Sequence, residues 1–492
     1  MKRVLIANRG EIAVRIIRAC AELELETVAV FSDVDRTAPH VRMATFARHI
    51  GPAPASESYL RADRLLEVAA ETGADAIHPG YGFLSENASF AQAVIDAGLT
   101  WVGPSPHAIT MMGSKTGSRQ LMQAAGVPLV PGTLEAIEDE DELLRIAADI
   151  GYPVMLKASA GGGGKGMRKV ERPGDLLAAF RAARSEARNS FGDDAVYLEK
   201  FVVNPRHVEI QVLADQHGNT LHLFERDCSI QRRHQKVLEE TPCPVLAEET
   251  RDEMGRVAVA AAKAVDYVGA GTVEFLYGGD GGFYFLEMNT RLQVEHPITE
   301  MVTGVDLAQA QLRIARGEPL GFGQDDLRVH GHAIECRIYA EDPARDFMPA
   351  PGRIRSYREP SGPFVRVDSG VTEETEVPVH YDPMIAKLVV WGRNREECIR
   401  RCDRALREYR VTGIRTSIGF FRRVLADERF LAGDYTTAFI TPELLNDLED
   451  LRNDEVAATA AAIAQFELDH RRTPAPADGT ASAWKRHLGW KR

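Results

Sequence analysis

The sequence predicts an α/β protein that begins with a doubly wound parallel sheet and ends in a β-rich segment. Within residues 1–113, short apolar strands alternate with helical runs, which is typical of a parallel sheet covered by helices. In residues 114–328 helices alternate with hairpin patterns, and strands dominate residues 329–446. Residues 447–492 change to an alanine-rich and then a polar, proline-containing composition, which predicts a helical extension and a flexible tail.

Size and composition restrict the classes of function. The chain has 492 residues, of which 44% are hydrophobic and 27% charged, so it is long enough for roughly two to four domains. The net charge of −13 argues against nonspecific nucleic-acid binding. No apolar run reaches the roughly 18 residues of a membrane span, so we expect a cytoplasmic protein without membrane contact. Six cysteines without a C-x-x-C motif predict neither a zinc site nor a disulfide framework.

The N-terminal elements follow from short β-branched runs such as VLIAN and TVAVFS, separated by longer helical stretches. The first turn reads Asn8-Arg9-Gly10 and lacks the second and third glycines of G-x-G-x-x-G. Those glycines let the backbone approach a pyrophosphate, so a dinucleotide-binding enzyme is not expected. Strands are predicted at 4–8, 27–32, 76–82 and 100–103, and helices at 11–24, 58–72 and 85–98.

The later elements are mainly hairpins. A QHGN turn joins the runs at 207–215 and 221–226, and the glycine-rich turn at 278–282 joins a second pair of strands. Both therefore predict antiparallel pairing. Further strands are expected at 332–342, 352–360, 364–370 and 386–392, followed by helices near 394–410 and 416–427.

A glycine run provides the first candidate binding site. Gly161–Gly164 follow a predicted strand that ends at Lys157, and Lys165 and Gly166 lead into the next strand. Consecutive glycine N–H groups can converge on one anion, while a flanking lysine supplies charge. A Walker A loop would need Ser or Thr after the lysine. The β–loop–β pattern instead predicts a flap that closes over a triphosphate.

The strands after the flap carry further polar residues. The run at 196–202 contains Glu199 and Lys200, and we expect its exposed edge to offer backbone N–H and C=O groups to an adenine. Glu199 could accept a hydrogen bond from the adenine amino group. On the next strand, His207 and Glu209 share one face.

The segment EMNTRLQVEHPITE, residues 287–300, is the strongest candidate for a catalytic site. Read as extended backbone, it places two carboxylates, two amides and a guanidinium on one face. Burying such groups unpaired would cost roughly 2–7 kcal/mol each, so the face predicts a joint site for a divalent metal, a phosphate and a small oxyanion. The residues of this face are Glu287, Asn289, Arg291, Gln293 and Glu295.

A basic run precedes this segment in an otherwise acidic chain. It lies directly after a predicted strand near the phosphate region, and we interpret it as a local anion site rather than a solvated surface. Its members are Arg226, Arg232, Arg233, His234 and Lys236.

Taken together, these segments resemble the biotin carboxylase family of the ATP-grasp superfamily over about residues 1–446. The resemblance implies an N-terminal biotin carboxylase domain, an ATP-grasp domain with a mobile lid at about 130–203, and a β-rich C-terminal biotin carboxylase domain. It also implies a ligase that uses ATP. The resemblance rests on IANRGEIAVRIIRA (6–19), IHPGYGFLSEN (77–87), KASAGGGGKGMR (157–168), ERDCSIQRRHQKVLEE (225–240), GTVEFLY (271–277), EMNTRLQVEHPITEMVTGVDL (287–307) and GHAIECRIYAED (331–342).

The resemblance further implies a nucleotide and metal site. Lys115 and Lys157 would contact the ATP phosphates, and Glu199 and Lys200 would hold the adenine edge. Glu274, Glu287 and Asn289 would hold Mg²⁺, or Mn²⁺ in its place. The other residues implied at the nucleotide are Gly162, Gly163, Gly164, Val202, His207, Gln231 and His234.

For the second substrate, the resemblance implies a bicarbonate cradle made by Lys236, Arg291, Gln293 and the Val294 N–H. Glu295 would be the general base. Bicarbonate would attack the γ-phosphate to give carboxyphosphate, which breaks down to CO₂ and phosphate, and the phosphate would deprotonate biotin. Arg337 would stabilise the biotin enolate, and Tyr81 would lie near the biotin. On the predicted strand Arg337 shares a face with Glu335 and Tyr339.

The chain lacks a Met-Lys-Met biotin acceptor, so biotin is expected on a separate carrier protein or on a biotin-bearing carboxyltransferase. The C-terminal extension favours the biotin carboxylase component of a two-subunit pyruvate carboxylase. The alternative is the corresponding component of an acetyl-CoA or propionyl-CoA carboxylase. The resemblance suggests a homodimer formed through the Arg15–Glu22 helix and the β-rich part.

Two alternatives belong to other classes. An ATP-grasp ligase with a different substrate would share the flap and the metal carboxylates, but it would not need Arg337 or the TRLQVEH segment. A noncatalytic scaffold would be expected to have lost some of the polar site residues, and every one of them is present.

Overall fold

In a computed structural model of the protein, residues 1–445 belong to one unit, and the described residues from 446 onward belong to another. The structure describes residues 1–133, 135–158, 166–191, 194–279, 281–449 and 454–470. Within these ranges, no helix has both the length and the apolar character needed to cross a membrane.

The N-terminal part is a five-stranded parallel sheet with the strand order β3-β2-β1-β4-β5. The predicted doubly wound arrangement is confirmed, although the third strand was not predicted. That strand, FARHIG, is an edge strand that is mostly only partly buried, so it lacks a continuous apolar run. The elements are β1 (Arg3–Ile6), α1 (Gly10–Glu22), β2 (Glu26–Ser32), α2 (Pro39–Met43), β3 (Phe46–Gly51), α3 (Ala62–Thr72), β4 (Ala76–His78), α4 (Ala88–Asp96), β5 (Thr100–Trp101) and α5 (Pro106–Gly113).

A small antiparallel sheet with the order β7-β6-β8 follows. Two of its strands, β6 and β7, flank the glycine run and pair with each other, so the two predicted strands are confirmed. Gly162, Gly163 and Gly164 themselves lie outside the described residues. The elements of this part are α6 (Lys115–Ala124), α7 (Glu140–Ile150), β6 (Val154–Ala158), β7 (Met167–Val170), α8 (Leu176–Phe191) and β8 (Val196–Lys200).

The remaining elements build a large antiparallel sheet and its covering helices. Both predicted hairpins, β9–β10 and β12–β13, are present. The elements are β9 (Arg206–Ala214), β10 (Thr220–Arg232), β11 (Gln235–Thr241), α9 (Glu248–Lys263), β12 (Gly269–Tyr277), β13 (Phe283–Asn289), α10 (His296–Thr303), α11 (Leu307–Ala315), β14 (His332–Tyr339), β15 (Glu341–Asp342), β16 (Met348–Pro349), β17 (Gly352–Arg353), β18 (Ser356–Arg358), β19 (Val365–Ser369), β20 (Glu376–Val377), β21 (Met384–Gly392), α12 (Arg395–Glu408), β22 (Arg410–Thr412), α13 (Ile418–Ala426), α14 (Glu428–Ala432), α15 (Pro442–Glu449) and α16 (Asp454–His470).

The large sheet has eight strands in the order β13-β12-β9-β10-β11-β14-β21-β19. It runs through the predicted boundary at 328/329, because β11 pairs with β14. Charged side chains are therefore in register across neighbouring strands: Glu287 lies opposite Glu274, and Glu274 lies opposite Glu209. On β14, Arg337 lies opposite Lys387. This row places the candidate site on one continuous sheet.

The predicted extended conformation of residues 287–300 is wrong beyond Asn289. Strand β13 ends there, residues 290–295 form an irregular segment, and α10 begins at His296. Pro297 in the first turn favours a helix start, because its missing N–H needs no partner at that position. The segment turns away from the sheet instead of continuing along its edge.

Helix α1 is largely buried within the protomer. Arg15 is buried and donates hydrogen bonds to Glu300 (2.8 Å) and Asp306 (2.7 Å) of the same chain. The guanidinium of Arg15 is therefore committed within the protomer, and the part that this helix takes in a homodimer remains a prediction. Arg18 and Glu22 are the charged residues that the helix exposes.

Candidate functional site

Two cavities lie on either side of the segment that follows β13. The first, of about 470 Å³, is lined by Lys157, Glu199, Glu287 and Asn289, among others. The second, of about 450 Å³, is lined by residues that include Tyr81, Arg291, Val294, Arg337 and Tyr339. Because Asn289 and Arg291 line different cavities, the irregular segment separates two spaces of ligand size.

Lys236 lies at the centre of a group of buried carboxylates. Its ammonium group contacts Glu209 at 2.5 Å, Glu274 at 2.6 Å and Glu295 at 2.7 Å. Burial opposes a charged ammonium, but these three carboxylates raise the pKa of Lys236 well above its usual value. The lysine therefore stays protonated and holds carboxylates from three different elements together.

Glu295 is a buried carboxylate that contacts cations from two different strands. It accepts hydrogen bonds from Lys236 at 2.7 Å and from Arg337 at 2.9 Å. Burial opposes ionisation, but Lys236 and Arg337 hold the pKa of Glu295 well below its usual value. Glu295 is thus an ionised carboxylate between two fixed cations, which suits a general base.

Arg337 lies on the predicted strand face and is shared between two carboxylates. Its Nε donates to Glu239 at 2.7 Å and its Nη2 to Glu295 at 2.9 Å. The guanidinium is buried, and it lines the second cavity together with Tyr339. It can therefore present charge to an oxyanion in that cavity while remaining fixed by the protein.

Gln293 is oriented by Arg226, an arginine that was predicted to bind an anion. The guanidinium of Arg226 is fully buried and donates to Glu209 (2.6 Å) and to the side-chain oxygen of Gln293 (2.9 Å). This turns the Gln293 amide nitrogen toward Glu274, to which it donates at 2.8 Å. Further hydrogen bonds join Arg226 to Gln211, Thr272 and Thr299.

The interpretation of the basic run as an anion site is therefore wrong for most of its members. Arg226 is enclosed by protein groups, Arg232 binds Glu341, and Arg233 contacts Asp346. His234 is exposed at the turn between β10 and β11. Lys236 and Arg226 both bind the buried carboxylate of Glu209, but both are fixed there by protein groups.

Of the three residues predicted to hold a metal, Glu287 and Asn289 line the first cavity, and both are close to Glu274. Glu287 lies opposite Glu274 in the β12–β13 hairpin, and Asn289 donates to Glu274 at 2.9 Å. Burial within the cavity wall and the charge of Glu274 raise the pKa of Glu287. A divalent cation would relieve this repulsion, and carboxylate and amide oxygens are the ligands that Mg²⁺ prefers. The three residues therefore fit Mg²⁺.

A second group of possible metal ligands, His207, Glu209 and Glu274, has its ligand atoms within 4.8 Å of one another. The ammonium of Lys236 already contacts both of these carboxylates. His207 lies 2.9 Å from Glu274 and accepts a hydrogen bond from Gln231 at its Nδ1, at 2.8 Å. Burial opposes protonation of His207, but Glu274 raises its pKa. Gln231 thus holds His207, and His207 in turn holds the Glu274 side chain in position.

At the other end of the first cavity, Glu199 is bound by Arg119 and Lys157. The predicted free strand edge is wrong for Lys200, whose N–H donates to the Pro131 carbonyl at 2.7 Å. The Thr133 and Ile137 N–H groups also donate to carbonyls of β8, so this edge of the strand is paired. The Lys200 ammonium donates to the carbonyls of Gly151 and Tyr152.

Two further residues were predicted to contact the nucleotide. Val202 is half-buried two residues after β8. Lys115 is the first residue of α6, and its side chain lies outside what the structure describes. Both remain predictions as nucleotide contacts.

Further residues join the site without having been predicted. Glu86 accepts hydrogen bonds from the Thr290 N–H (3.1 Å) and from Arg291 (2.9 Å). In the second cavity, the Tyr81 hydroxyl donates to Glu11, and Lys387 lies 3.2 Å from the same carboxylate. Glu86 and Glu11 belong to motifs quoted above, but their partners are far away in the sequence, so spacing gave no signal.

We expect protein stability to report on the buried Glu239. Burial and the repulsion from Glu295 outweigh Arg337 and raise the pKa of Glu239 to about 7. A carboxyl with a higher pKa in the folded state binds more protons when folded, so its contribution to stability falls as pH rises from about 4.5 to 7. Glu239→Gln should match the wild type near pH 5 and gain a few kcal/mol relative to it at pH 8.

Urea unfolding of both proteins across this pH range checks the prediction. The neighbouring Glu335, opposite Glu239 on β14, also has its pKa raised well above the usual value by burial. Because Glu335 is present in both proteins, the difference between their stabilities reports on Glu239. A stability difference that does not change with pH would contradict the raised pKa of Glu239.

Comparison with known proteins shows which family the chain belongs to. Three family models match in succession: the biotin carboxylase N-terminal domain over residues 1–109, the ATP-binding domain of the carbamoyl-phosphate synthase L chain over 114–322, and the biotin carboxylase C-terminal domain over 335–442. Together the three models match the chain from residue 1 to residue 442 with short gaps between them.

Individual proteins and solved structures are also similar to this chain. A biotin carboxylase of Nostoc is 54% identical over 438 residues, which are 89% of this chain and 98% of that protein. A pyruvate carboxylase subunit of Methanothermobacter thermautotrophicus is 53% identical, and the match covers 89% of each chain. The biotin carboxylase domain dimer of the Hydrogenobacter thermophilus 2-oxoglutarate carboxylase, solved with MgADP and bicarbonate, superimposes with a TM-score of 0.83 at 47% identity over 90% of this chain and 98% of that one.

Proposed function

The chain belongs to the biotin carboxylase family, and we propose that it uses MgATP and bicarbonate to carboxylate biotin held on a separate carrier protein. It is an ATP-dependent ligase. The observation that carries the proposal is the placement of Glu295 between Lys236 and Arg337, at the segment that separates two cavities of ligand size. One cavity would take the nucleotide, the other the biotin, and the reacting groups would meet between them.

We assign the first cavity to the nucleotide. Lys115, Lys157 and Gly162–Gly164 would contact the phosphates, and Glu199, Lys200 and Val202 would lie at the adenine. Glu274, Glu287 and Asn289 would hold Mg²⁺, which neutralises phosphate charge during transfer. Release of Lys157 from Glu199 on nucleotide binding would free its ammonium for the phosphates. His207 and Gln231 keep Glu274 in place, and His234 remains a predicted nucleotide contact.

At the junction, Glu295 would take the proton from bicarbonate while Lys236, Arg291, Gln293 and the Val294 N–H hold the anion. The activated oxygen would then attack the γ-phosphate and break its bond to the β-phosphate oxygen, which gives carboxyphosphate and releases ADP. Because Glu295 is ionised and its neighbours are cations, it can accept a proton without losing its position. Carboxyphosphate would break down to CO₂ and phosphate next to the second cavity.

In the second cavity, Arg337 would stabilise the enolate that forms when phosphate removes the ureido proton of biotin. Its charge is permanent and its planar guanidinium matches an oxyanion. Tyr81, which lines the same cavity, would contact the biotin ring. We propose that the nucleotide is held mainly by residues 114–328, with a lid near 130–203, and the biotin by residues 1–113 and 329–446.

As to the wider reaction, we propose that the chain is the biotin carboxylase component of a pyruvate carboxylase, supported by its similarity to the Methanothermobacter protein. The corresponding component of an acetyl-CoA or propionyl-CoA carboxylase is the second candidate, since the propionyl-CoA carboxylase alpha chain of Ruegeria pomeroyi is 50% identical over 486 residues. We also propose a homodimer in which α1 takes part through Arg18 and Glu22. The cytoplasmic location stays a prediction.

Phosphate release from MgATP, measured with and without bicarbonate and free biotin, tests the proposal. Release that needs bicarbonate and rises with biotin would support it. Turnover that ignores biotin would contradict the assignment of the second cavity. Adding a biotin-bearing carboxyltransferase subunit, together with pyruvate, acetyl-CoA or propionyl-CoA in turn, would identify the final acceptor.

A further inference from the structure

We propose that His296 and Lys387 are positioning residues that aim the backbone N–H groups of Val294 and Glu295 at a planar oxyanion. That oxyanion belongs to bicarbonate or to the enolate of biotin, and the inference therefore rests on the proposed function. Neither residue touches the substrate in this assignment. They act through the two peptide groups between Gln293 and Glu295.

The first peptide group is fixed by His296. The ring Nδ1 of His296 lies 2.7 Å from the Gln293 carbonyl oxygen, and the His296 N–H donates to the same oxygen at 3.3 Å. Burial and the nearby charges of Lys387 and Arg15 hold the pKa of His296 well below its usual value. The ring is therefore neutral, and because a carbonyl can only accept, its proton is on Nδ1.

The second peptide group is fixed by Lys387. Its ammonium donates to the Val294 carbonyl at 2.9 Å and is 3.2 Å from Glu11, with Asp368 at 3.9 Å. The Lys387 side chain is 0% exposed. Burying an ammonium is costly, and an apolar residue is often as good for stability alone. A buried lysine directed at a loop carbonyl therefore indicates a role in shaping that loop.

The geometry of a trans peptide turns these two contacts into an alignment of donors. Neither peptide bond is cis, so each N–H points opposite to the carbonyl of the same peptide group. With the Gln293 and Val294 carbonyls held by interior side chains, the Val294 and Glu295 N–H groups point the other way. Val294 is half-buried and lines the second cavity. Successive N–H groups on one side form an anion-binding concavity.

Replacements at His296 separate this role from general packing. Asparagine can place an N–H close to the position of Nδ1, whereas glutamine places its N–H near Nε2. We expect His296→Gln and His296→Leu to raise the KM for bicarbonate or for biotin by about 10- to 100-fold, and His296→Asn to return it to within about threefold. The KM that changes identifies the oxyanion. The affinity for MgATP, measured by calorimetry, should change by less than about twofold.

Lys387→Met tests the second positioning residue, because it keeps the length of the side chain and removes the hydrogen-bond donor. It should raise the same KM as His296→Gln. As a control, His332→Leu removes another buried histidine, which binds Glu240 at 2.6 Å in the same large sheet. It should lower the melting temperature without changing either KM.

Two results would overturn the inference: equal KM values for the asparagine and glutamine variants, or normal KM values in both His296→Leu and Lys387→Met. If His296→Leu or Lys387→Met does not fold, the comparison of His296→Asn with His296→Gln still tests the inference, since both replacements are polar and similar in size. A wild-type protein that hydrolyses ATP without any response to bicarbonate and biotin would instead refute the proposed function. The two failures are therefore distinguishable.

Discussion

Replacing Glu295 by glutamine is expected to lower bicarbonate-dependent ATP cleavage by about 10²- to 10⁴-fold. Glutamine keeps the size of the side chain and can still accept from Lys236 or Arg337, but it cannot take a proton. Because these two cations hold the pKa of Glu295 well below its usual value, the wild-type base stays ionised throughout the neutral range. The rate loss should therefore be the same at pH 6.5 and at pH 8.

Single-turnover phosphate release with saturating MgATP measures this effect. Glu240→Gln is a matched control, since Glu240 is also a fully buried carboxylate but binds His332 and Arg395. It should lower the melting temperature and keep the bicarbonate dependence. If Glu295→Gln retained more than a tenth of the wild-type rate, Glu295 would not be the base.

The hairpins and the parallel sheet could be predicted because their signals are local. Alternation along β9 placed His207 and Glu209 on one face, and the GGDGG turn alone was enough to predict the β12–β13 hairpin. Strand order is a different kind of information. The pairing of β11 with β14 joins residues about 100 positions apart, and no pattern within either strand specifies its neighbour.

The polar residues of the segment at 287–300 come together for a different reason from the one predicted. Alternation along an extended strand brought its polar residues to one face, yet the strand ends at Asn289. Gln293 and Glu295 reach the carboxylate group from an irregular segment and a helix start. Their convergence depends on Arg226 and Lys236, which lie on other strands.

The site residues that could not be predicted share a physical cause. Glu86 pairs with Arg291 over a separation of 205 residues, and Lys387 reaches the Val294 carbonyl over 93. A buried charge looks the same in a sequence as an exposed one. Arg15 is an example, because its hydrogen bonds to Glu300 and Asp306 hold it inside the protomer.

Replacing Arg337 by lysine is expected to separate the two halves of the reaction. Lysine keeps the positive charge near Glu295, so ATP cleavage that depends on bicarbonate alone should fall by less than about tenfold. A single ammonium cannot bind Glu239, Glu295 and an enolate in one plane as the guanidinium can. Carboxylation of biotin should therefore fall by about 10²- to 10³-fold, the effect of losing one preorganised oxyanion donor.

Product analysis checks this separation, by measuring carboxybiotin and phosphate in the same reaction. The ratio of carboxybiotin to phosphate should drop in Arg337→Lys. Arg395→Lys serves as the matched control, because Arg395 is a partly buried arginine that binds Glu240 through two hydrogen bonds, at 2.7 and 2.9 Å, and lines neither cavity. An unchanged ratio in Arg337→Lys would mean that the enolate is stabilised elsewhere, with the backbone N–H groups of Val294 and Glu295 as the next donors to test.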